Sequence, residues 1–363
     1  MCFETIFVTT SGSRDKAKPP ARGTRSWPRD APDMSSAVLH AATGAPASRP
    51  RGAFGASRGP RVARRGCVAA RATSAGPSDW DLDGAPDGVV LRLAKRLERA
   101  WRALPDVVDA PCAPDLKSVD AIAEDGDPTT AVRIENLVFT NAAFRKMHLE
   151  VAWGLGGLEV MHVVVYPWAS VPAPIYAADL VAFNGRVTLC IADVCPTERD
   201  SDSVAEEKMN RGVPSVLAAR AETLRDAMLT RAPAIEPRGI PDWGVPILSQ
   251  EACVCVGPPK EDFPKQEQAE AFAEYAYGLF EAYAAYVLEM KEKEKDDADE
   301  NASFKNATMT RLAAQTFFCE KQLENDKTRK ALERSMGAER TDRYMTQVLF
   351  DVTERTPTRP ATK

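Results

Sequence analysis

Motifs that bind redox cofactors are missing from this sequence. It contains no G-x-G-x-x-G loop for a dinucleotide, no flavin motif and no cysteine framework for haem or an iron–sulfur cluster. Its eight cysteines include no C-x-x-C pair, which argues against a metal site and favours small buried thiols without disulfides. We therefore expect no bound cofactor and no metal. Any redox chemistry must take its electrons from another molecule.

Long apolar runs are also missing. No stretch approaches the roughly 20 apolar residues that are needed to cross a bilayer, so the sequence predicts no membrane-spanning helix. At 363 residues with 44% hydrophobic content, the chain is nevertheless long enough to bury a sizeable core.

Acidic residues are absent from Met34 to Ser78, a stretch that holds seven arginines. A basic, hydroxylated and acid-free N-terminus is typical of an organelle transit peptide. We predict that residues 1–75 direct the protein to the chloroplast stroma and are removed there, with Met34 as a plausible true start. The other interpretation is a disordered basic tail that binds an anionic partner.

Residues 1–75 hold 13 of the 47 basic residues and four of the 52 acidic ones, so the remaining chain carries a formal net charge of −14. Nucleic acid needs a basic face, so we expect neither nucleic acid nor a membrane as a partner. An acidic partner protein would need a local basic patch on this chain. We expect a monomer.

Alternation of apolar and polar residues predicts a block of five strands. They lie near 132–139, 144–152, 158–166, 175–183 and 186–193. Asn184-Gly185 between the last two runs is a strong hairpin signal, so the sheet is at least partly antiparallel.

Helical spacing flanks this block on both sides. Helices are predicted near 89–104, 215–232, 266–290 and 308–336, with a short strand at 252–256 and a closing strand or turn at 347–352. The order predicts an α/β fold, a three-layer α/β/α sandwich about a mostly antiparallel sheet. We assign residues 76–355 to one domain with a charged, solvated insertion at about 291–306, followed by a flexible tail at 356–363.

Ionisable residues interrupt three of the predicted strands. His148 and Glu150 share one face of the second strand, because side chains alternate along a strand; His162 lies on the third and Asp179 on the fourth. Burying such groups is costly, so a cluster of them indicates chemistry. Taken singly, Asp179 could also be a structural carboxylate and His162 a satisfied core histidine.

The residues around these four positions resemble the ferredoxin-dependent bilin reductases. The similarity is carried by FRKMHLEVA, GLEVMHVVVYP, the aspartate of AADLV, RVTLCIADVCP and, near the end, NDKTRKALERSMGAERTDRYMTQVLFDV. It spans roughly Val132 to Val352. The resemblance implies the sandwich fold, biliverdin IXα as substrate and reduced ferredoxin as the electron donor.

The resemblance also implies roles for individual residues. Asp179 would be the central proton donor, and His162 would share or relay its proton beside the bilin lactams. Glu150 corresponds to the residue implicated in reduction of the D-ring vinyl group, which marks the phycocyanobilin-forming branch of the family, and His148 would support its position.

Four further residues are assigned to the substrate on the same basis. Asn325 would act through a hydrogen bond or an ordered water, and Lys327 offers a cation to a propionate or to ferredoxin. Asp326 is either a substrate contact or a helix cap. Arg238 is a candidate for propionate binding, since a guanidinium pairs bidentately with a carboxylate. One departure stands out, because Gly257 occupies a place where the family commonly has an arginine.

The expected activity is reduction of biliverdin IXα to phycocyanobilin in two successive two-electron steps through radical intermediates. A sister activity that makes phytochromobilin or phycoerythrobilin is one alternative. A bilin-binding protein without catalysis, acting as a pigment carrier or signalling partner, is the other.

Overall fold

The computed structural model describes residues 80–121, 131–197, 213–235, 237–240, 242–257, 265–296 and 302–351. These residues all belong to one compact unit. The predicted transit peptide, the tail after 355 and the middle of the charge run lie outside them, so those predictions stay untested.

A nine-stranded antiparallel sheet forms the centre of the described part of the chain, in the order β1-β3-β4-β5-β6-β7-β9-β8, with β2 also paired to β3. Its strands are β1 Val108–Asp109, β2 Ser118–Ala121, β3 Val132–Thr140, β4 Phe144–Gly154, β5 Leu158–Pro167, β6 Ile175–Phe183, β7 Arg186–Cys195, β8 Pro237–Arg238 and β9 Val254–Val256. The five predicted central strands are confirmed.

The β6–β7 hairpin turns at the predicted Asn-Gly pair. Asn184 and Gly185 have φ values of 50° and 70°. Two successive positive φ values define the tight turn whose twist matches a right-twisted hairpin, and asparagine followed by glycine tolerates them best. The turn starts the hairpin, and an irregularity between Val181 and Ala182 then shifts the register by one residue, so that Asp179 pairs with Ile191 and Ala177 with Asp193.

Helices cover both faces of the sheet. They are α1 Val89–Arg102, α2 Pro114–Lys117, α3 Ser215–Arg231, α4 Lys265–Asp296, α5 Ala302–Leu323, α6 Asp326–Met336, α7 Ala338–Tyr344 and a π-helix at Met345–Leu349. None of the helices in the described ranges is long and apolar enough to cross a membrane.

Two hydrophobic clusters separate the faces. The first joins α1, α3 and α4 to one face through residues such as Trp101, Phe272 and Tyr283. The second joins α5, α6, α7 and the π-helix to the other face through residues such as Phe318 and Val348. This is the predicted three-layer α/β/α sandwich. Because both faces are covered, β5 is buried along its whole length.

The C-terminal third departs from the sequence expectation. α4 continues six residues into the charge run, to Asp296, and α5 begins already at Ala302, so both ends of the expected insertion are helical. The expected helical region at 308–336 is divided into two helices at the turn before Asp326. The expectation of a closing strand or turn at 347–352 is wrong in its strand alternative, because Met345–Leu349 winds as a π-helix.

Candidate active site

A row of polar side chains crosses the face of the sheet that the C-terminal helices cover. Backbone register aligns Asn136 with Glu150, Glu150 with His162 and His162 with Asp179, on four adjacent strands. Adjacent strands lie about 4.8 Å apart, so paired residues on one face are direct neighbours. The sequence predicted three members of this row, and the antiparallel register brings them together.

His162 and Asp179 form a hydrogen-bonded pair at the centre of the row. Nδ1 of His162 lies 2.6 Å from Oδ1 of Asp179. His162 is 4% exposed and Asp179 1%. A hydrogen bond this short joins the two side chains into one unit.

Glu150 belongs to a second hydrogen-bonded group. The Tyr344 hydroxyl lies 2.5 Å from Oε2 of Glu150 and 2.9 Å from Oδ1 of Asn136, and Nε2 of His148 lies 2.8 Å from the same Asn136 oxygen. His148 thus supports the surroundings of Glu150 through Asn136 and Tyr344.

Burial controls the charges of this group. Loss of water raises the pKa of Glu150 above its ordinary value, although His162 and the Tyr344 hydroxyl partly oppose the rise. Burial lowers the pKa of His148 well below its usual range, and the nearby Lys146 lowers it further. The group therefore favours a neutral imidazole and a carboxyl that retains its proton at higher pH than a solvated one.

Two imidazole nitrogens of the site lack a partner. Nε2 of His162 and Nδ1 of His148 are buried, and within the described residues neither has a hydrogen-bond partner. Buried polar atoms without partners are rare in folded proteins and call for an explanation. Both nitrogens remain available for a polar ligand that reaches the row.

The last described residues, up to Asp351, lie over the row. The Phe350 ring meets the His162 ring edge-on at a centroid distance of 5.7 Å. Asp351 is held by Arg145 at 2.9 Å and by Lys146 at 3.0 Å, and Lys146 also donates to the Val348 carbonyl at 2.7 Å. These contacts fix residues 344–351, which we call the C-terminal strap, to β4.

The other predicted substrate contacts lie around this centre. Arg238 is exposed on the edge strand β8, where register through Cys255 and Ile191 places it at the end of the row that contains Asp179. Its guanidinium lies against Gly257, where any Cβ would overlap it. The unexpected glycine therefore leaves room for the arginine.

Asn325 occupies the turn between α5 and α6, and its carbonyl accepts a hydrogen bond from the Arg329 amide. Asp326 and Lys327 form the start of α6, but their side chains lie outside what the structure describes. Substrate contacts of these three residues stay predictions.

Sequence reasoning missed Asn136, Tyr344 and Phe350. Asn136 gave a usable signal, since it is a polar residue in an apolar strand and alternation places it opposite Glu150. Tyr344 and Phe350 gave none, because Tyr344 follows Glu150 by 194 residues and only the tertiary fold joins them. In the described parts of the chain, no group of three or more potential ligand side chains could hold a metal ion, and the six cysteines there are free.

Comparison with known proteins agrees with this geometry. The model of the family described as "Ferredoxin-dependent bilin reductase" matches residues 94–351. The phycocyanobilin:ferredoxin oxidoreductase of Synechococcus sp. (strain CC9605) is 30% identical over 264 residues, which cover 72% of this chain and 92% of that protein. The enzyme of the same name from Trichodesmium erythraeum (strain IMS101) is 28% identical over 263 residues, 72% of this chain and 93% of the relative.

Among solved structures, tomato phytochromobilin synthase in complex with biliverdin superposes with a TM-score of 0.49 at 11% identity, over 74% of this chain and 84% of that one. The family match spans most of the described residues and contains the whole polar row. The chain therefore belongs to the ferredoxin-dependent bilin reductases, enzymes that reduce a bilin with electrons from ferredoxin.

Proposed function

We propose that this protein reduces biliverdin IXα to phycocyanobilin. The observation that supports this proposal best is the register that places Glu150, His162 and Asp179 side by side on one buried face. In the proposed mechanism, this face offers a bound bilin two separate proton donors. The relatives named phycocyanobilin:ferredoxin oxidoreductase support the same product.

Each of the two reductions adds two electrons and two protons to the bilin. Ferredoxin supplies the electrons one at a time, so the protein must hold a bilin radical and deliver protons to chosen carbons. The His162–Asp179 pair is suited to the first protonation, because a proton bound between the two groups is already held beside the unpartnered Nε2 of His162.

Glu150 is suited to the vinyl group of the D ring. Its buried carboxyl keeps its proton until electron density on the bilin makes a carbon basic enough to take it. One vinyl reduction at this ring, together with reduction at the opposite end of the tetrapyrrole, accounts for four electrons and four protons. Arg238, at the sheet edge, is suited to a propionate.

Substrate entry requires a change at the C-terminal strap. Phe350 covers His162, and Tyr344 covers Glu150. A planar tetrapyrrole that contacts both residues must therefore lie between the strap and the sheet and move the Phe350 ring aside.

The direct test is anaerobic turnover of the full chain with biliverdin IXα, ferredoxin and a ferredoxin-reducing system, followed by absorbance and chromatography. The proposal expects phycocyanobilin as the final product. Phytochromobilin or phycoerythrobilin would replace the proposed branch by a sister activity. Stoichiometric binding with an unchanged bilin would favour a carrier and overturn the proposal.

We also propose that the protein works in the plastid, on the strength of its acid-free, arginine-rich N-terminus. A fluorescent protein fused behind residues 1–75 should accumulate in chloroplasts. Cytosolic fluorescence from that fusion, and from one that starts at Met34, would contradict the assignment.

A further inference from the structure

The Tyr344 hydroxyl lies between two oxygen atoms but has only one proton to give. It is 2.5 Å from the Glu150 carboxyl and 2.9 Å from the Asn136 side-chain oxygen. Tyr344 is fully buried, so water does not supply a second donor. The Tyr344 O–H bond can point at only one of these oxygens. The other oxygen then faces a lone pair of the tyrosine oxygen.

The orientation of Asn136 makes its side-chain oxygen a second acceptor, which competes with Glu150 for the Tyr344 proton. Its amide nitrogen donates to the carbonyl of Leu116 at 2.9 Å and is 3.4 Å from that of Lys117. Two carbonyls on this side can be met only by the NH₂ group, so the amide oxygen must face Tyr344 and His148. An amide oxygen only accepts, and it is best satisfied by the Tyr344 hydroxyl and by a proton on Nε2 of His148.

When Asn136 takes the Tyr344 proton, Glu150 must supply the proton of its own short contact with Tyr344. When the tyrosine proton points at Asn136, an ionised Glu150 would place a charged oxygen against the tyrosine oxygen at 2.5 Å with no proton between them. A neutral carboxyl instead donates to Tyr344, and every polar atom in the chain Glu150–Tyr344–Asn136 is satisfied.

We propose that Tyr344 is a positioning residue that, together with Asn136, holds Glu150 as a neutral acid before the substrate arrives. The inference rests on the proposed function, in which Glu150 protonates the D-ring vinyl group. Burial, the largest influence, raises the pKa of Glu150 and favours the neutral acid, whereas a Tyr344 proton turned towards Glu150 opposes that rise.

Other ionisable groups face Glu150 from the surrounding elements. His162 on β5 favours the ionised form when it carries a charge, while Asp179 on β6 favours the neutral form. His148, two residues away on β4, is held neutral by burial, with Lys146 beyond it. Cys112 lies beside Tyr344. His162 and Asp179 act in opposite directions on the pKa of Glu150, and burial remains the largest influence on it.

The same tyrosine serves the step after proton transfer. When the Glu150 O–H bond breaks and a C–H bond forms on the bilin, with the electron supplied by ferredoxin, a carboxylate is left in a buried site. Rotation of the Tyr344 O–H from Asn136 to Glu150 then provides that carboxylate with a hydrogen bond. Tyr344 thus exchanges one acceptor for the other as Glu150 changes charge.

Infrared spectroscopy of the full chain without bilin tests the proton assignment apart from turnover. We expect a band from a protonated carboxyl at neutral pH that disappears in Glu150→Gln. In Tyr344→Phe the band should move towards the frequency of a carboxyl without a hydrogen-bond partner. The matched control is Tyr283→Phe, an equally buried tyrosine on the opposite face whose hydroxyl donates to the Val165 carbonyl at 3.1 Å; it should leave the band unchanged.

The inference is overturned if no protonated band belongs to Glu150 at neutral pH, or if Tyr344→Phe leaves that band in place. Should Tyr344→Phe fail to fold, Asn136→Ser provides the second variant. It frees the tyrosine proton for Glu150, so the band should disappear at a lower pH than in the wild type; an unchanged titration overturns the inference.

Turnover gives the second readout. Tyr344→Phe should bind biliverdin with nearly unchanged affinity and lose at least about tenfold in the rate of D-ring vinyl reduction, whereas Tyr283→Phe should retain that rate. If the wild type reduces no D-ring vinyl group, the proposed function fails while the infrared result still decides the state of Glu150. An equal loss in both tyrosine variants would indicate a general packing effect and contradict the positioning role.

Discussion

In the proposed mechanism, Asp179 is the residue on which the chemistry depends most. It is 1% exposed on the central strand β6, and its carboxyl lies 2.6 Å from the ring of His162. A buried carboxyl that touches an imidazole with a second, unpartnered nitrogen is arranged for proton transfer more than for packing.

Asp179→Asn keeps the size of the side chain but removes its acidic proton. We expect this variant to bind biliverdin and to stall at or before the first reduction, with a rate loss of about 10² to 10⁴. Absorbance titration measures the binding, and anaerobic turnover measures the rate. Asp193→Asn makes the same change at another buried aspartate, on β7 outside the row, and should retain turnover. Normal turnover in Asp179→Asn would remove Asp179 from the mechanism.

Asp193 has a structural role that pH can reveal. Its two oxygens accept hydrogen bonds from the Ser249 amide at 2.6 Å and the Ser249 hydroxyl at 2.5 Å. Burial nevertheless raises its pKa to about 7, from 3.8, because these bonds offset only part of the lost hydration. Between pH 4 and pH 7 the native state therefore keeps a proton that the unfolded chain has already released.

Because the native state binds more protons across that window, the free energy of unfolding must fall as pH rises from 4 to 7 and level off above 7. At about 1.4 kcal/mol for each unit of pKa shift, the contribution is on the order of 4 kcal/mol. Chemical denaturation at several pH values should show the wild type losing this much relative to Asp193→Asn. Parallel curves for the two proteins would contradict the elevated pKa.

At the scale of elements, ion pairs hold the C-terminal strap over the site. Arg145 and Lys146 extend from β4 to Asp351, and Lys146 is 6% exposed. Burial lowers the pKa of Lys146, and Asp351 opposes that effect. Burial alone would raise the pKa of Asp351, but Lys146 and Arg145 bring it below its ordinary value. The three charges thus stabilise one another in a site with little water.

Asp351→Ala should leave Lys146 and Arg145 without their carboxylate. Removing one partner of a buried ion pair typically costs about 3 to 5 kcal/mol, so we expect a loss of that order in the free energy of unfolding. Asp342→Ala is the matched control, because Asp342 pairs with Arg329 at 3.2 Å but is 63% exposed. It should cost less than about 1 kcal/mol. Equal losses in the two variants, measured by chemical denaturation, would show that the strap is not held by Asp351.

At the scale of the whole molecule, local signals determined how much the sequence could predict. The bounds of the central strands were predicted within two residues, because alternation and the Asn184-Gly185 turn depend only on residues close together in the sequence. His148, Glu150, His162 and Asp179 were found because each interrupts an apolar strand. Their alignment followed only once antiparallel register was known.

The C-terminal region was harder to predict because its conformation depends on what it packs against. The Val348 carbonyl in the π-helix accepts a hydrogen bond from Lys146, and Tyr344, just before that helix, is hydrogen-bonded to Glu150. Both partners lie on β4. Neither contact produces a periodic pattern in the nearby sequence from which it could be predicted. Gly337, with φ 78°, follows the end of α6 at Met336, where the helical region was predicted to end, whereas the division before Asp326 was not predicted.

The central claim is that this chain makes phycocyanobilin and that Glu150 protonates the D-ring vinyl group. Parallel anaerobic turnovers of the wild type and Glu150→Gln, with chromatographic identification of the products, test it most directly. The account predicts phycocyanobilin from the wild type and, from the variant, only bilins that retain the D-ring vinyl group. Phycocyanobilin from both proteins at similar rates would contradict the role of Glu150, and a wild-type product that keeps its D-ring vinyl group would contradict the proposed activity itself.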